Sequence, residues 1–196
     1  MEKFVTLSSR VVPLPIENVD TDQIIPARFL KATSKEGFGD NLFRDWRYDE
    51  EDKPIESFPL NNSIYKGEIL VAGKNFGCGS SREHAAWAIK GYGFNVVVSS
   101  FFADIFRNNA MNNFLLPVVV SDKFLTEIFE SVNNNAEATL TVDLENQIIR
   151  NNATGNEESF AINSYKKECF LKGFDDIDYL LNNKVKIEDY ETKRKL

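Results

Sequence analysis

Cysteine, histidine and tryptophan are scarce in this chain of 196 residues, which holds two, one and two of them respectively. Two cysteines, Cys78 and Cys169, exclude a disulfide framework and cannot alone supply the ligands of a metal cluster, so no metal site is expected within the chain. No apolar run approaches the roughly 20 residues of a membrane-spanning helix. The segment Met1-Glu2-Lys3-Phe4-Val5-Thr6 lacks a basic stretch followed by a long apolar core, so a secretory leader is not expected. Positive charge is thin too. With 23 Lys and Arg against 30 Asp and Glu, the formal charge of -7 argues against a nucleic-acid partner, whose backbone demands concentrated positive charge. Together these absences point to a reducing, cytoplasmic setting with neither nucleic acid nor membrane as partner.

What is present is ordinary globular material. A hydrophobic fraction of 42% can bury a core, and the length favours one folded unit, residues 1–183, followed by a charged tail, 184–196, expected to be flexible. No internal repeat is visible. Phe4 to Val12 alternates loosely and reads as a strand entering a loop stiffened by Pro13 and Pro15. Glu17 to Asn62 is irregular and too long for a simple connection, which suggests function. Strands are expected at Glu68 to Ala72, Asn95 to Ser99 and Leu115 to Val120, with helices at Arg82 to Lys90 and Phe102 to Asn112 between them. Strand–helix–strand order favours parallel pairing. Further helices are expected at Asp122 to Val132, Ser164 to Lys172 and Asp175 to Asn182, and strands at Ala138 to Leu144, Gln147 to Arg150 and Ser159 to Ile162. The class is α/β, a mixed and partly parallel sheet flanked by helices.

The segment richest in chemistry is Gly73-Lys74-Asn75-Phe76-Gly77-Cys78-Gly79-Ser80-Ser81-Arg82-Glu83-His84, between a strand and a helix. Its glycines allow tight turns and close approach of a ligand. Ser80 with Glu83 three residues later has capping-box spacing, which would start the helix at the serine pair and turn its amide hydrogens toward an anion. Arg82 adds a planar fork suited to a carboxylate. The plainer reading is a capping serine beside a surface arginine. Nucleotide-binding loops fit poorly, because Lys74 precedes the glycines and the dinucleotide spacing fails. The pattern supports an anion site and leaves the anion open.

Gly73 to Ala86, followed by Ser99, Phe101-Phe102-Ala103-Asp104-Ile105 and Asn109 to Pro117, closely resembles the swivelling domain of the aconitase superfamily. Asn18-Val19-Asp20-Thr21-Asp22-Gln23-Ile24-Ile25-Pro26-Ala27 resembles its other signature. Phe29-Leu30-Lys31, Gly37-Phe38-Gly39 and Asp45-Trp46-Arg47 are similar to the small subunits of two-chain isopropylmalate dehydratases. The resemblance extends to about Leu181. It implies a swivelling β/β/α domain and a reversible dehydration and rehydration within leucine biosynthesis, shared with a large subunit. That partner would hold a [4Fe-4S] cluster through three cysteines, with one open iron as Lewis acid.

The same resemblance makes Ser80 the catalytic base, with Ser81 and Arg82 contacting the carboxylates of a small dicarboxylic hydroxy acid. It places Asp22 near the substrate, where an Asx turn in Asp20-Thr21-Asp22 is an equal reading. Phe29 and Leu30 would border the isopropyl group. His84 is read as a structural hydrogen-bonding group and Cys78 as packing. Phe101, Phe102, Ile105 and Phe106 have helix-compatible spacing and read as core. Two alternatives stay open: a related hydro-lyase acting on methylmalate, citraconate or homoaconitate, and a non-catalytic anion-binding module.

Overall fold

A computed structural model describes residues 2–31 and 34–194. Seven strands form one sheet in the order β4-β3-β2-β1-β5-β6-β7. They are β1 (Thr6–Leu14), β2 (Ile69–Ala72), β3 (Val96–Ser99), β4 (Leu116–Val119), β5 (Thr139–Asp143), β6 (Ile148–Asn151) and β7 (Glu157–Ser159). The half from β1 to β4 is parallel, and the half from β1 through β5 and β6 to β7 is antiparallel. The α/β class and the mixed sheet expected from the sequence are both found. The last strand lies at Glu157–Ser159, earlier than the Ser159 to Ile162 expected, because Ile148 to Arg150 pair with Ser159 to Glu157.

The two halves bury their strands differently, as their sequences dictate. Parallel strands covered on both faces read as continuous apolar runs, and β2 and β3 are buried at every residue. In β5 only alternate residues, Leu140 and Val142, are buried. Both prolines of the parallel half sit where their missing N–H costs no ladder bond. Pro117 lies on the edge strand β4. Pro13 lies in β1 beyond the stretch Thr6 to Arg10 that pairs with β5, so the strand runs on to Leu14.

Alternation along the strands creates two apolar layers. Val11, Ile69, Val71, Val96 and Val98 face one layer, closed by helix α5 (Asp122–Asn134) through Phe124, Ile128 and Val132, and by Phe170 of α6 (Ser164–Lys172). Leu14, Leu70, Ala72 and Val97 face the other layer. It is closed by α3 (Glu83–Tyr92) and α4 (Asp104–Asn112) and by the irregular region, which folds into α1 (Thr21–Ile24), α2 (Arg44–Arg47) and two short 3-10 turns. Each fully buried Val, Leu or Phe contributes about 1.5–3 kcal/mol. Arg47, buried within that region, donates from Nε to Asn61 Oδ1 at 3.0 Å and from Nη1 to the Leu42 carbonyl at 3.3 Å.

The chain ends in α7 (Asp176–Asn182) and α8 (Lys184–Arg194). The segment expected to be a flexible tail is helical through Arg194 with no buried residue, and its last two residues lie outside the described residues. Among the described residues no helix is long and apolar enough to cross a membrane.

Candidate active site

The segments 18–22 and 73–82, over fifty residues apart in sequence, lie zipped side by side. Asn18 N–H donates to the Lys74 carbonyl at 2.8 Å, Gly77 N–H to the Val19 carbonyl at 2.8 Å, and Thr21 N–H to the Cys78 carbonyl at 2.9 Å. Asp20 and Cys78 form a parallel bridge. Thr21, buried at 1% exposure, donates its hydroxyl to the Ser80 carbonyl at 2.9 Å. The position of Ser80 is therefore set by the earlier segment as much as by its own loop.

Glycine is required at two points of this contact. Gly77 has φ 75°, and a Cβ there would lie 2.2 Å from Cγ of Phe106. Gly79 has φ 86°, and a Cβ would lie 2.7 Å from Oδ2 of Asp20. These positions bring the loop down onto α4 and the start of α1, leaving Ser80 and Ser81 exposed on the rim.

The capping box expected from Ser80 and Glu83 is not formed. Arg82 is the N-cap of α3, in extended conformation, and no side chain caps this helix start. The cause is tertiary: the Glu83 carboxylate accepts from Asn113 Nδ2 at 3.0 Å and from Trp87 Nε1 at 3.2 Å. Those two donors hold its carboxyl below the usual range, with the Asn113 amide the larger influence and burial opposing. The capping box of this site lies at α1, where the Asp20 side chain takes the N3 amide and Gln23 returns to the Asp20 N–H. The Asx reading of Asp20-Thr21-Asp22 thus holds at Asp20, while the Asp22 carboxylate forms an ion pair with Arg82.

Arg82 is mostly buried, with 16% of its side chain exposed against 49% for Asp22. Its buried Nη1 has that carboxylate as counter-charge and no further hydrogen-bond partner. The arrangement is an exposed serine pair beside a rigidly held guanidinium.

The other candidates fall into place around this centre. His84 packs its ring against Trp87 and Phe38, with centroids 4.4 and 5.6 Å away. Cys78 donates its thiol to the Asn18 carbonyl at 3.3 Å, and burial, then the Asp20 carboxylate, pushes its pKa up, opposite to what a nucleophile needs. Phe29 closes a 3-10 turn, Ala27–Phe29, and both Phe29 and Leu30 pack half-buried on the second apolar layer. The expectation that Phe101, Phe102, Ile105 and Phe106 are all core holds for Phe102 and Phe106 only. Phe101 and Ile105 are 50% and 52% exposed: α4 begins only at Asp104, so Phe101 lies before it beside the inward-facing Phe102 of the bridge to Phe76, and Ile105 falls on the outer side of the first turn. Sequence reasoning gave no role to Thr21, Asn113 or Arg47; a threonine between two aspartates was the one visible signal. Among the described residues no group of three or more His, Cys, Asp or Glu is placed to hold a metal ion.

A family model described as Aconitase C-terminal domain matches residues 1–123, and a second, described as LeuD_N, matches residues 126–164. The chain is 74% identical to the 3-isopropylmalate dehydratase small subunit of Azobacteroides pseudotrichonymphae, over 97% of this chain and 98% of that one. It is 66% identical to the small subunit of the same name from Cytophaga hutchinsonii, over 100% of this chain and 97% of that one. The crystal structure of a 3-isopropylmalate dehydratase, LeuD, from Methanocaldococcus jannaschii superposes with a TM-score of 0.67 at 26% identity, covering 94% of this chain and 99% of the other. With both signature segments brought together on this sheet, the chain belongs to the family of 3-isopropylmalate dehydratase small subunits, built on the aconitase C-terminal domain.

Proposed function

We propose that this chain completes the active site of a two-chain hydro-lyase that interconverts 2-isopropylmalate and 3-isopropylmalate through 2-isopropylmaleate in leucine biosynthesis, with Ser80 as base. The observation that carries this reading is the exposed Ser80-Ser81 pair beside Arg82, fixed by the contact between segments 18–22 and 73–82. Family membership supports the reaction, and the small-subunit designation of the relatives supports a large-subunit partner.

In the dehydration step the Ser80 oxygen takes a proton from the carbon next to the one bearing the hydroxyl. The released electron pair forms the carbon–carbon double bond, and the hydroxyl departs with its bonding pair and leaves as water after protonation. Rehydration in the opposite sense places the hydroxyl on the neighbouring carbon. A serine hydroxyl is a weak base at neutral pH, so its alkoxide needs support from nearby donors, and Arg82 supplies the fixed positive charge. Asp22 holds Nη1, so the remaining guanidinium donors and the Ser81 hydroxyl are those a substrate carboxylate meets. Cys78 and Cys169 do not fit a cluster-ligand set, one bonded to a carbonyl and the other buried in α6. A [4Fe-4S] cluster would be held by the partner, where it would supply Lewis acidity toward the departing hydroxyl. Phe29 and Leu30 are proposed to border the isopropyl group, since apolar surface discriminates a branched apolar substituent.

The test is turnover of 3-isopropylmalate and of methylmalate by this chain, by its large subunit, and by their anaerobically reconstituted mixture. Activity is expected in the mixture alone, lost at least about a hundredfold in Ser80→Ala, as expected for removal of a general base. Phe29→Ala is expected to narrow the preference for the longer substrate. Full turnover by Ser80→Ala would reject the base assignment, and equal turnover of both acids would reject the substrate.

A further inference from the structure

A cavity of about 540 Å3 opens beside the C-terminal half of α3, and no residue of the 73–82 loop or of segment 18–25 lines it. Its volume lies within the roughly 300–1,000 Å3 of small-molecule sites. The walls include Phe4, Leu7, Trp87 and Phe114. Two of these are fixed from behind, with Phe4 set edge-on to the Phe170 ring at 6.2 Å and Phe114 packed on it at 5.0 Å. Rigid aromatic surface facing an open cavity is where an apolar group gains most, at about 25 cal/mol per Å2 removed from water.

The rim carries charges of both signs. Lys35 lies with Nζ 5.0 Å from the Trp87 ring centroid and donates to Asn113 Oδ1 at 2.7 Å. Asn113 is itself buried and tied to Glu83 and to the Asn109 carbonyl, so this ammonium is held on a fixed anchor. Lys90, one turn after Trp87, is half-buried and donates to Asn95 Oδ1, and Asn95 Nδ2 in turn donates to Glu68. Burial pushes the Lys90 ammonium down, and the Glu2 and Glu68 carboxylates partly restore it. A desolvated ammonium gains from an incoming carboxylate. A bare anion would also meet Glu2 and Glu68, and a bare cation would meet the lysines. A ligand with both charges complements a rim that carries Lys3, Lys35 and Lys90 as well as Glu2 and Glu68.

We propose that this cavity is a second binding site, separate from the Ser80 centre, for an α-amino acid with a branched or aromatic apolar side chain. The carboxylate sits at Lys90, the ammonium at Glu68 and Glu2, and the side chain against Trp87 and Phe114.

Trp87 lines the cavity and Trp46 does not, since Trp46 stacks on Phe43 in the other apolar layer. A Trp46→Phe chain therefore reports on the cavity by tryptophan fluorescence. Titration with L-leucine is expected to give a saturable change, weakened about tenfold or more by Lys90→Met and by Glu68→Gln, each a loss of one charged contact. Ser80→Ala is expected to leave it unchanged. Glycine, without the side chain, and 4-methylpentanoate, without the ammonium, are expected to bind at least about tenfold more weakly. No saturable change with L-leucine overturns the proposal. So does equal binding of glycine or 4-methylpentanoate, or a Lys90→Met and Glu68→Gln pair that both fold, by circular dichroism, and both bind normally. Loss of the signal in Ser80→Ala would place the binding at the active site and overturn the separate cavity.

Discussion

Thr21 shows how one side chain can carry a constraint across the fold. Its hydroxyl reaches the Ser80 carbonyl and its N–H the Cys78 carbonyl, both at 2.9 Å, from a position with 1% exposure. A buried hydrogen bond of this kind is worth about 0.5–1.5 kcal/mol. Valine fills the same space without the hydroxyl. Thr21→Val is therefore expected to fold and to lose about tenfold in kcat with KM little changed, while Thr21→Ser keeps most of the rate. Steady-state kinetics on the reconstituted enzyme check this; equal rates for Thr21→Val and the unaltered chain would show that Ser80 is positioned by its own loop alone.

At the scale of the element, α3 connects the site to the rest of the chain through its first residue. Glu83 accepts from Asn113 and Trp87, and both donors favour its charged form. A carboxyl whose folded pKa is lowered contributes stability above its unfolded value of about 4.3, and the contribution is lost as pH falls through the lowered folded value. The melting temperature of Glu83→Gln is thus expected to fall below that of the unaltered chain near neutral pH, with the gap closing on acidification below about pH 4. A gap constant from pH 7 to pH 3 would mean that packing, and not the charge, is responsible. The same element explains why Gly77 and Gly79 are fixed. The loop before α3 must press against Phe106 and Asp20, and neither contact leaves room for a Cβ.

The whole molecule covers both faces of its parallel half but leaves apolar surface beside the site. Phe101 and Ile105 are about half exposed, four residues apart, next to the loop that bears Ser80. The Phe101 carbonyl accepts from Phe76 N–H at 3.1 Å, and Ala103 N–H donates to the Phe76 carbonyl at 3.2 Å, so this patch is rigidly joined to segment 73–82. On the proposed two-chain arrangement, exposed apolar side chains held beside the candidate site are expected to meet the large subunit. Phe101→Asp with Ile105→Asp is predicted to weaken association with that subunit at least about tenfold while leaving the melting temperature of the isolated chain near its original value. Calorimetric titration checks the affinity, and unchanged binding would move the interface elsewhere.

Periodicity, turn residues and composition were enough to place the parallel strands, α3 to α6 and the α/β class, because β2 and β3 are continuous apolar runs and the helices carry local stop or cap signals. The candidate site motif was legible for the same reason: Gly-Ser-Ser-Arg is contiguous and reads locally as an anion site, while the roles proposed for Ser80, Ser81 and Arg82 rest on the resemblance to the family. What sequence could not decide were choices made between distant partners. The capping box at Ser80 gave way to Glu83 contacts with Asn113, thirty residues on, and Phe101 and Ile105 turned outward because of where α4 starts. The cavity beside Trp87 draws its walls and charges from the N-terminal segment through Leu7, from Lys35, from Glu68 and Asn95 just before β2 and β3, from α3 and from the end of α4, which no local pattern relates. Local propensity fixes what each segment can become, whereas pairings across the fold settle which polar groups are left facing a ligand.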